Sequence, residues 1–298
     1  MGKNWNGFFT PLMGLYTLEI SLWAAVVFAV IFPEAGKLLF PYNLPIQFIL
    51  LYVSFFDLDL REISRSAWKT AVITLAIYFV VIAVSWGIAS QIETNPAALA
   101  GLAIIITAPY GIGNIALSKE LGVKLSTTSA VVVLSTVASI AVIPAFSSYA
   151  LAKTVPVDAQ KMFIELFVLI IVPLVLAQIS KKLVPKLAIL RETRPLLMFL
   201  LIWPITSSGI QRISDLTFAA LLVIALMFVL YYVLQRAASR LARTERVETI
   251  LVRKNTGLAA TLAATHFTPA AALPAIAYSI VLNLVQGAII RMRRGKSQ

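Results

Sequence analysis

Long apolar segments dominate the chain, and polar residues are concentrated in short stretches between them. A membrane-spanning helix needs about 20 mostly apolar residues, and fewer where it is broken or shielded by protein. The pattern therefore predicts an all-α membrane protein with ten transmembrane helices, called spans 1 to 10. The spans cover residues 11–32, 43–56, 67–90, 97–118, 125–148, 159–180, 194–210, 215–235, 247–267 and 270–290.

The composition supports a membrane protein and excludes some kinds of chemical site. Of the 298 residues, 60% are hydrophobic and 13% are charged, whereas soluble domains carry about 25% charged residues. The chain has no cysteine and a single histidine, His266. Disulfides and thiolate metal sites are thereby excluded, and we expect neither a metal site nor a cofactor.

Positive charge is distributed unevenly between the loops. With the N-terminus placed inside, 19 lysines and arginines fall on the inner side and 4 on the outer side. Inner loops of membrane proteins carry this excess, so the net charge of +12 does not indicate a nucleic-acid partner. The sequence predicts a multi-pass protein of the inner (plasma) membrane with both termini cytoplasmic. Its expected surrounding is the lipid bilayer, and no obligate protein partner is indicated.

Ten spans with both ends inside divide into two halves of five. Because five is odd, the second half enters the membrane from the opposite side, as an inverted repeat does. We therefore predict a first repeat over residues 1–148 and a second over residues 149–298.

Span 4 contains residues that interrupt a helix. Pro109, Gly111, Gly113 and Asn114 lie in the middle of its apolar run. Proline removes a backbone donor and glycine weakens a helix. The glycines could instead only permit close helix packing, which is common in membranes.

Span 9 is the counterpart of span 4 in the second half, and it carries the chain's most unusual polar run. Arg253 and Lys254 are followed by Asn255, Thr256 and Gly257. Corresponding broken segments in two inverted halves indicate a binding site near the bilayer midplane. The alternative is that both cations mark the cytoplasmic end of a span and reach lipid phosphates.

The two cations differ in their expected surroundings. Lys254 immediately precedes Asn255 at the break, so we predict that it is buried where the two broken spans cross. Arg253 is offset from it by about 100° on a helix. We therefore expect Arg253 to face lipid or the interface.

The run from Asn255 to Phe267, continued by Ala271-Ala272-Leu273-Pro274, resembles the bile acid:sodium symporter (BASS) superfamily. The segment from Ala108 to Asn114 looks like a shortened form of that superfamily's span 4 motif. The resemblance implies a panel of spans 1, 2, 6 and 7, and a core of spans 3–5 and 8–10 in which spans 4 and 9 cross. Substrate would bind between panel and core near the crossing.

The departures from the superfamily concern its sodium ligands. Glutamate, glutamine and a second glutamine are expected where this chain has Ile250, Lys254 and Tyr78. Sodium prefers several oxygen ligands, including carboxylates. The resemblance therefore implies a transporter that has lost the sodium site, with the Lys254 ammonium in place of the ion.

We predict a secondary transporter of a small organic anion or amphipathic acid that works by alternating access without sodium. Proton coupling through Glu19 or Lys254 and an auxin-efflux-type carrier are alternatives. A channel is an alternative from another class, although crossed half-helices would end at the midplane. An enzyme is not expected, because the sequence has no nucleophile–base constellation.

Overall fold

The computed structural model describes residues 20–58, 60, 63–115, 118, 123–244, 247 and 252–294, with the side chains of 286–294 left out. Glu19 and Ile250 lie outside the described residues. Secondary structure in the described part is helical apart from one antiparallel bridge between Tyr110 and Lys254. The α-helices are α1 Ile20–Ile31, α2 Pro33–Leu39, α3 Asn43–Phe55, α4 Arg65–Ile92, α5 Pro96–Thr107, α6 Leu125–Ala150, α7 Ala159–Leu183, α8 Arg194–Gly209, α9 Phe218–Leu241, α10 Thr256–His266 and α11 Leu273–Arg294.

Each of the ten predicted spans overlaps one of these helices, and the predicted all-α class is confirmed. Within the described residues, six helical stretches are long and apolar enough to cross a membrane: Pro33–Phe55, Arg65–Ile92, Leu125–Ala150, Ala159–Leu183, Pro185–Asp215 and Phe218–Leu241. The protein is therefore a multi-pass membrane protein. The count of ten transmembrane helices stays a prediction.

Two segments expected to be loops or linkers contain helix. The chain between spans 1 and 2 forms α2, which begins at Pro33, because proline is tolerated in the first turn of a helix. Helix α9 continues beyond the expected end of span 8 to Leu241. Both helical segments lie outside the apolar runs from which the spans were predicted.

The helices pack in a pattern centred on α5. Helix α3 packs on α7 and α8, while α4 packs on α6 and α9. Helix α5 contacts α4, α6, α10 and α11, and its residues from Ala98 to Thr107 are buried. The division into panel and core and the inverted repeat stay predictions.

Local sequence explains why α5 and α10 are short. Asn95 caps α5 by accepting hydrogen bonds from the amides of Ala97 and Ala98 at 2.9 and 3.1 Å. The helix ends at Thr107, and Ala108 is extended because a following proline disfavours the helical conformation. Helix α10 begins after Asn255, whose Oδ1 accepts from the Leu258 amide at 3.1 Å. An end of α5 and the start of α10 therefore lie inside the protein.

Candidate functional site

The two non-helical segments meet and form backbone hydrogen bonds with each other. The Gly111 amide donates to the Arg253 carbonyl and the Asn255 amide donates to the Pro109 carbonyl, each at 2.8 Å. The Asn114 side-chain amide also donates to the Arg253 carbonyl, at 2.9 Å. Backbone groups released by the helix breaks therefore find partners in the other segment, as a membrane interior requires.

Gly111 makes this close approach possible. A Cβ atom at this position would lie 3.0 Å from the Lys254 carbonyl oxygen, which is tighter than ordinary van der Waals contact. The adjacent Tyr110 amide donates to Ser135 Oγ of α6 at 3.2 Å. The glycine therefore serves the crossing of two unwound segments rather than the packing of two intact helices.

Lys254 is buried at the crossing, as predicted, with 2% of its surface exposed. Its Nζ donates to the carbonyl oxygens of Ile106 and Ala108 at 2.7 and 2.9 Å. The same atom lies 4.7 Å from the Tyr78 ring centroid and 5.0 Å from that of Tyr231. Carbonyl oxygens at a helix C-terminus and aromatic faces both stabilise a cation, so these contacts favour the charged form of the side chain.

Tyr78 completes the set of donors at the end of α5. Its hydroxyl donates to the Thr107 carbonyl while its ring faces Lys254. Three successive carbonyls, of Ile106, Thr107 and Ala108, thus accept hydrogen bonds from two side chains. The two described positions at which sodium ligands are expected, 78 and 254, hold these two donors.

Arg253 was expected to face lipid or the interface, whereas its side chain contacts other parts of the protein. The half-buried Arg253 lines a cavity beside the crossing, and its Nη2 lies 3.5 Å from Asn283 Oδ1. The expected 100° offset holds only for a helix, and residues 252–255 are not helical. In the bridge geometry observed, successive side chains point to opposite sides of the backbone. The Lys254 ammonium therefore lies at the end of α5, whereas the Arg253 guanidinium lies beside Gly113.

The cavity has a volume of about 100 Å³ and lies between the crossing and helices α1, α3, α8 and α11. Six of the eight site residues predicted on the two broken spans line the cavity: Gly111, Gly113, Lys254, Asn255, Thr256 and Gly257. The other two, Pro109 and Asn114, take part in the crossing. None of the described residues that line it is acidic. The lining residues are Leu22, Gln47, Leu50, Leu51, Ser54, Gly111, Ile112, Gly113, Arg194, Met198, Arg253, Lys254, Asn255, Thr256, Gly257, Ser279, Leu282 and Asn283.

Several residues of this site were not predicted from the sequence. Tyr231, Gln47, Arg194 and Asn283 lie on helices whose own pattern does not mark them as neighbours of the crossing. The available signal was an uncharged polar residue within an apolar span, as at Gln47, which membrane helices tolerate only with a partner or a function.

The site lies in a fold whose sequence matches a known transporter family. The model of the sodium bile acid symporter family matches residues 45–237. The chain belongs to that family. The match includes Tyr78 and the break in span 4, and it ends before the Lys254 segment. No curated protein matches the chain.

Membership of the sodium bile acid symporter family makes this protein a transporter of a small molecule across a membrane. It confirms the superfamily predicted from the residues around Asn255. It also favours this family over the auxin-efflux-type carriers.

Proposed function

We propose that this member of the family is a sodium-independent secondary transporter of a small organic anion, in which the Lys254 ammonium takes the place of the coupling ion. The observation that carries the proposal is the position of Lys254 Nζ, bonded to the Ile106 and Ala108 carbonyls and flanked by two tyrosine rings. In this proposal a fixed positive charge replaces a movable one.

The groups at the crossing do not form a suitable set of ligands for a sodium ion. A hard cation needs several oxygen ligands with lone pairs directed at it. Here the carbonyls of residues 106 to 108 already accept from Lys254 and Tyr78. A sodium ion at the same carbonyls would also be repelled by the ammonium, since two unit charges about 4 Å apart repel strongly in a medium of low dielectric constant.

The charge of the cavity favours an anionic substrate. Arg194, Arg253 and Lys254 line it without any acidic residue among its described lining. Its apolar wall, which includes Leu50, Leu51 and Met198, suits the hydrocarbon part of an organic acid.

Alternating access requires contacts between the two proposed groups of helices that break during the cycle. Glu165 of α7 and His266 of α10 form one such contact, with Nε2 of the histidine 3.0 Å from Oε2 of the glutamate. Helix α7 would belong to the panel and α10 to the core. We expect this contact to separate when the two groups move.

The first test replaces sodium by potassium or choline at constant ionic strength. We expect no change in the melting temperature of the purified protein or in its transport rate in proteoliposomes, because the ammonium already occupies the carbonyls. A sodium-specific rise in melting temperature would contradict the proposal, since a ligand at 100 times its Kd stabilises the folded state by about 2.7 kcal/mol.

The second test concerns protons. If Lys254 keeps its charge throughout the cycle, the protein is a facilitator or an exchanger. An imposed pH gradient should then not drive substrate accumulation in proteoliposomes. Should accumulation occur, the same measurement on Glu19→Gln and Lys254→Gln identifies the proton carrier as the variant that loses it, and the facilitator proposal is wrong.

A further inference from the structure

A row of polar side chains, called the polar stripe, is buried between α4 and α9. These two helices pack against each other, and none of the described residues that line the cavity belongs to either helix. Each helix contributes three polar residues spaced four apart, which places them on one helix face. The polar stripe consists of Thr70, Thr74 and Tyr78 of α4 and Tyr231, Gln235 and Ser239 of α9, each at most 3% exposed.

The polar stripe runs from the Lys254 ammonium to the surface of the protein. At one end, the ring centroids of Tyr78 and Tyr231 lie 4.7 and 5.0 Å from the ammonium. At the other end, the exposed Lys69 side chain donates to the Ala242 carbonyl at 3.4 Å and joins the start of α4 to the end of α9. The stripe covers residues 231–239 of α9, which is about 12 Å along the helix axis. By the predicted orientation, the surface at its end is cytoplasmic.

The Gln235 side chain indicates that the polar stripe does more than hold two helices together. Its Nε2 donates to Thr74 Oγ1 at 3.0 Å, a bond of the kind that joins membrane helices. Its Oε1 is buried and has no hydrogen-bond partner among the described residues. Buried polar atoms are nearly always satisfied by protein or by water, so this acceptor indicates a further partner.

Ser239 shares this property one turn further along α9. Serines in membrane helices usually bond to a carbonyl of their own helix, as Ser135 and Ser139 do at 3.1 and 2.7 Å. The Ser239 hydroxyl is buried and has no partner in the part of the chain that the structure describes. One turn of helix from residue 235 to residue 239 is about 6 Å, which two hydrogen bonds of about 2.8 Å can span through one water molecule.

The geometry points to a file of bound water molecules along the polar stripe, which connects the tyrosine rings beside Lys254 with the surface at the start of α4. Water has the matching chemistry, because it donates to Gln235 Oε1 and accepts from the Ser239 hydroxyl. The file gives the buried ammonium a contact with bulk water that is separate from the cavity. Exchange of water or protons with one side alone moves no net charge across the membrane, so the file is compatible with a facilitator. This inference goes beyond the proposed function and does not depend on the substrate or on sodium.

X-ray radiolytic labelling of the protein in proteoliposomes tests the file, because hydroxyl radicals formed from a bound water oxidise the side chains beside it. Mass spectrometry gives the oxidation rate of each tyrosine. Tyr231 should be oxidised several-fold faster than Tyr278. Both side chains are fully buried, but the Tyr278 hydroxyl donates to the Val252 carbonyl at 2.5 Å and its ring stacks on Phe228.

Two variants assign the water to the polar stripe. Gln235→Met keeps the length of the side chain but removes its amide, so Tyr231 should then be oxidised as slowly as Tyr278. The matched control is Gln178→Met, which makes the same change on α7, where the Gln178 amide donates to the Phe55 carbonyl at 3.3 Å. This control should leave the oxidation rate of Tyr231 unchanged.

A second measurement tests the connection with bulk water. The protein is mixed with water enriched in oxygen-18 shortly before irradiation. The oxygen added to Tyr231 should then carry the label. Ser239→Leu, which fills the surface end of the stripe, should slow the appearance of the label several-fold.

Equal oxidation of Tyr231 and Tyr278 in the wild-type protein would overturn the inference, and this comparison stands even where a variant does not fold. Fast oxidation of Tyr231 that survives Gln235→Met would also overturn it, as would an oxygen-18 label that never reaches Tyr231. The assay needs neither substrate nor sodium. Its failure is therefore distinct from a failure of the proposed transport function.

Discussion

Replacing Lys254 by methionine should abolish transport and lower the stability of the protein. Methionine keeps much of the length of the side chain but leaves the Ile106 and Ala108 carbonyls without their donor in a buried site. Each buried acceptor left unsatisfied costs about 1–3 kcal/mol. Transport in proteoliposomes and the melting temperature in detergent measure the two effects.

Lys182→Met is the matched control, because it makes the same chemical change at an exposed position on α7. We expect the control to transport and melt like the wild-type protein. If Lys254→Met retained both the rate and the melting temperature of the wild type, the ammonium would not be a structural substitute for an ion. A variant that melts like the wild type but does not transport would show that the charge acts in the transport cycle and not in stability.

Replacing Gly101 by alanine should also strongly destabilise the fold. An added Cβ would lie 2.1 Å from the Ala271 carbonyl oxygen and 2.8 Å from Pro274 Cγ. The first of these atoms belongs to the backbone, so α5 or the Pro269–Ala272 segment must move. Overpacking of this kind typically costs about 1–3 kcal/mol, and we expect the upper end of that range in a thermal unfolding measurement.

The comparison variant is Gly87→Ala on α4. A Cβ at this exposed position meets no atom within 4 Å, and alanine favours helix more than glycine does. Its melting temperature should equal or slightly exceed that of the wild type. Equal melting of the Gly101 and Gly87 variants would mean that α5 is not packed as tightly against the Pro269–Ala272 segment as the structure has it.

Helices and their breaks were predictable because local chemistry determines them. An apolar run of sufficient length predicts a span, and Pro109 predicts where α5 must end, since it forces Ala108 out of the helical conformation. The burial of Lys254 was predictable because the residue lies next to a break in a mid-chain apolar segment. These conclusions depend on residues close together in the chain.

The direction of the Arg253 side chain and the position of Gln47 depend on contacts between residues that are distant in the chain. Sequence patterns do not reveal such contacts. The expectation for Arg253 assumed a helix up to Asn255, whereas pairing with residues 109–111 holds that segment extended. Gln47 lies about 200 positions from Arg253, with which it shares the cavity. Only the packing of α3 against the crossing shows that its amide faces a possible ligand.

The bridge between Tyr110 and Lys254 has a consequence for how such proteins diverge. It is made of backbone groups, so it does not depend on which side chains the two positions carry. An ancestral carrier could therefore exchange an ion-binding side chain for a permanently charged one without dismantling the crossing. A few substitutions would then change the energy source of transport without changing the architecture that moves the substrate.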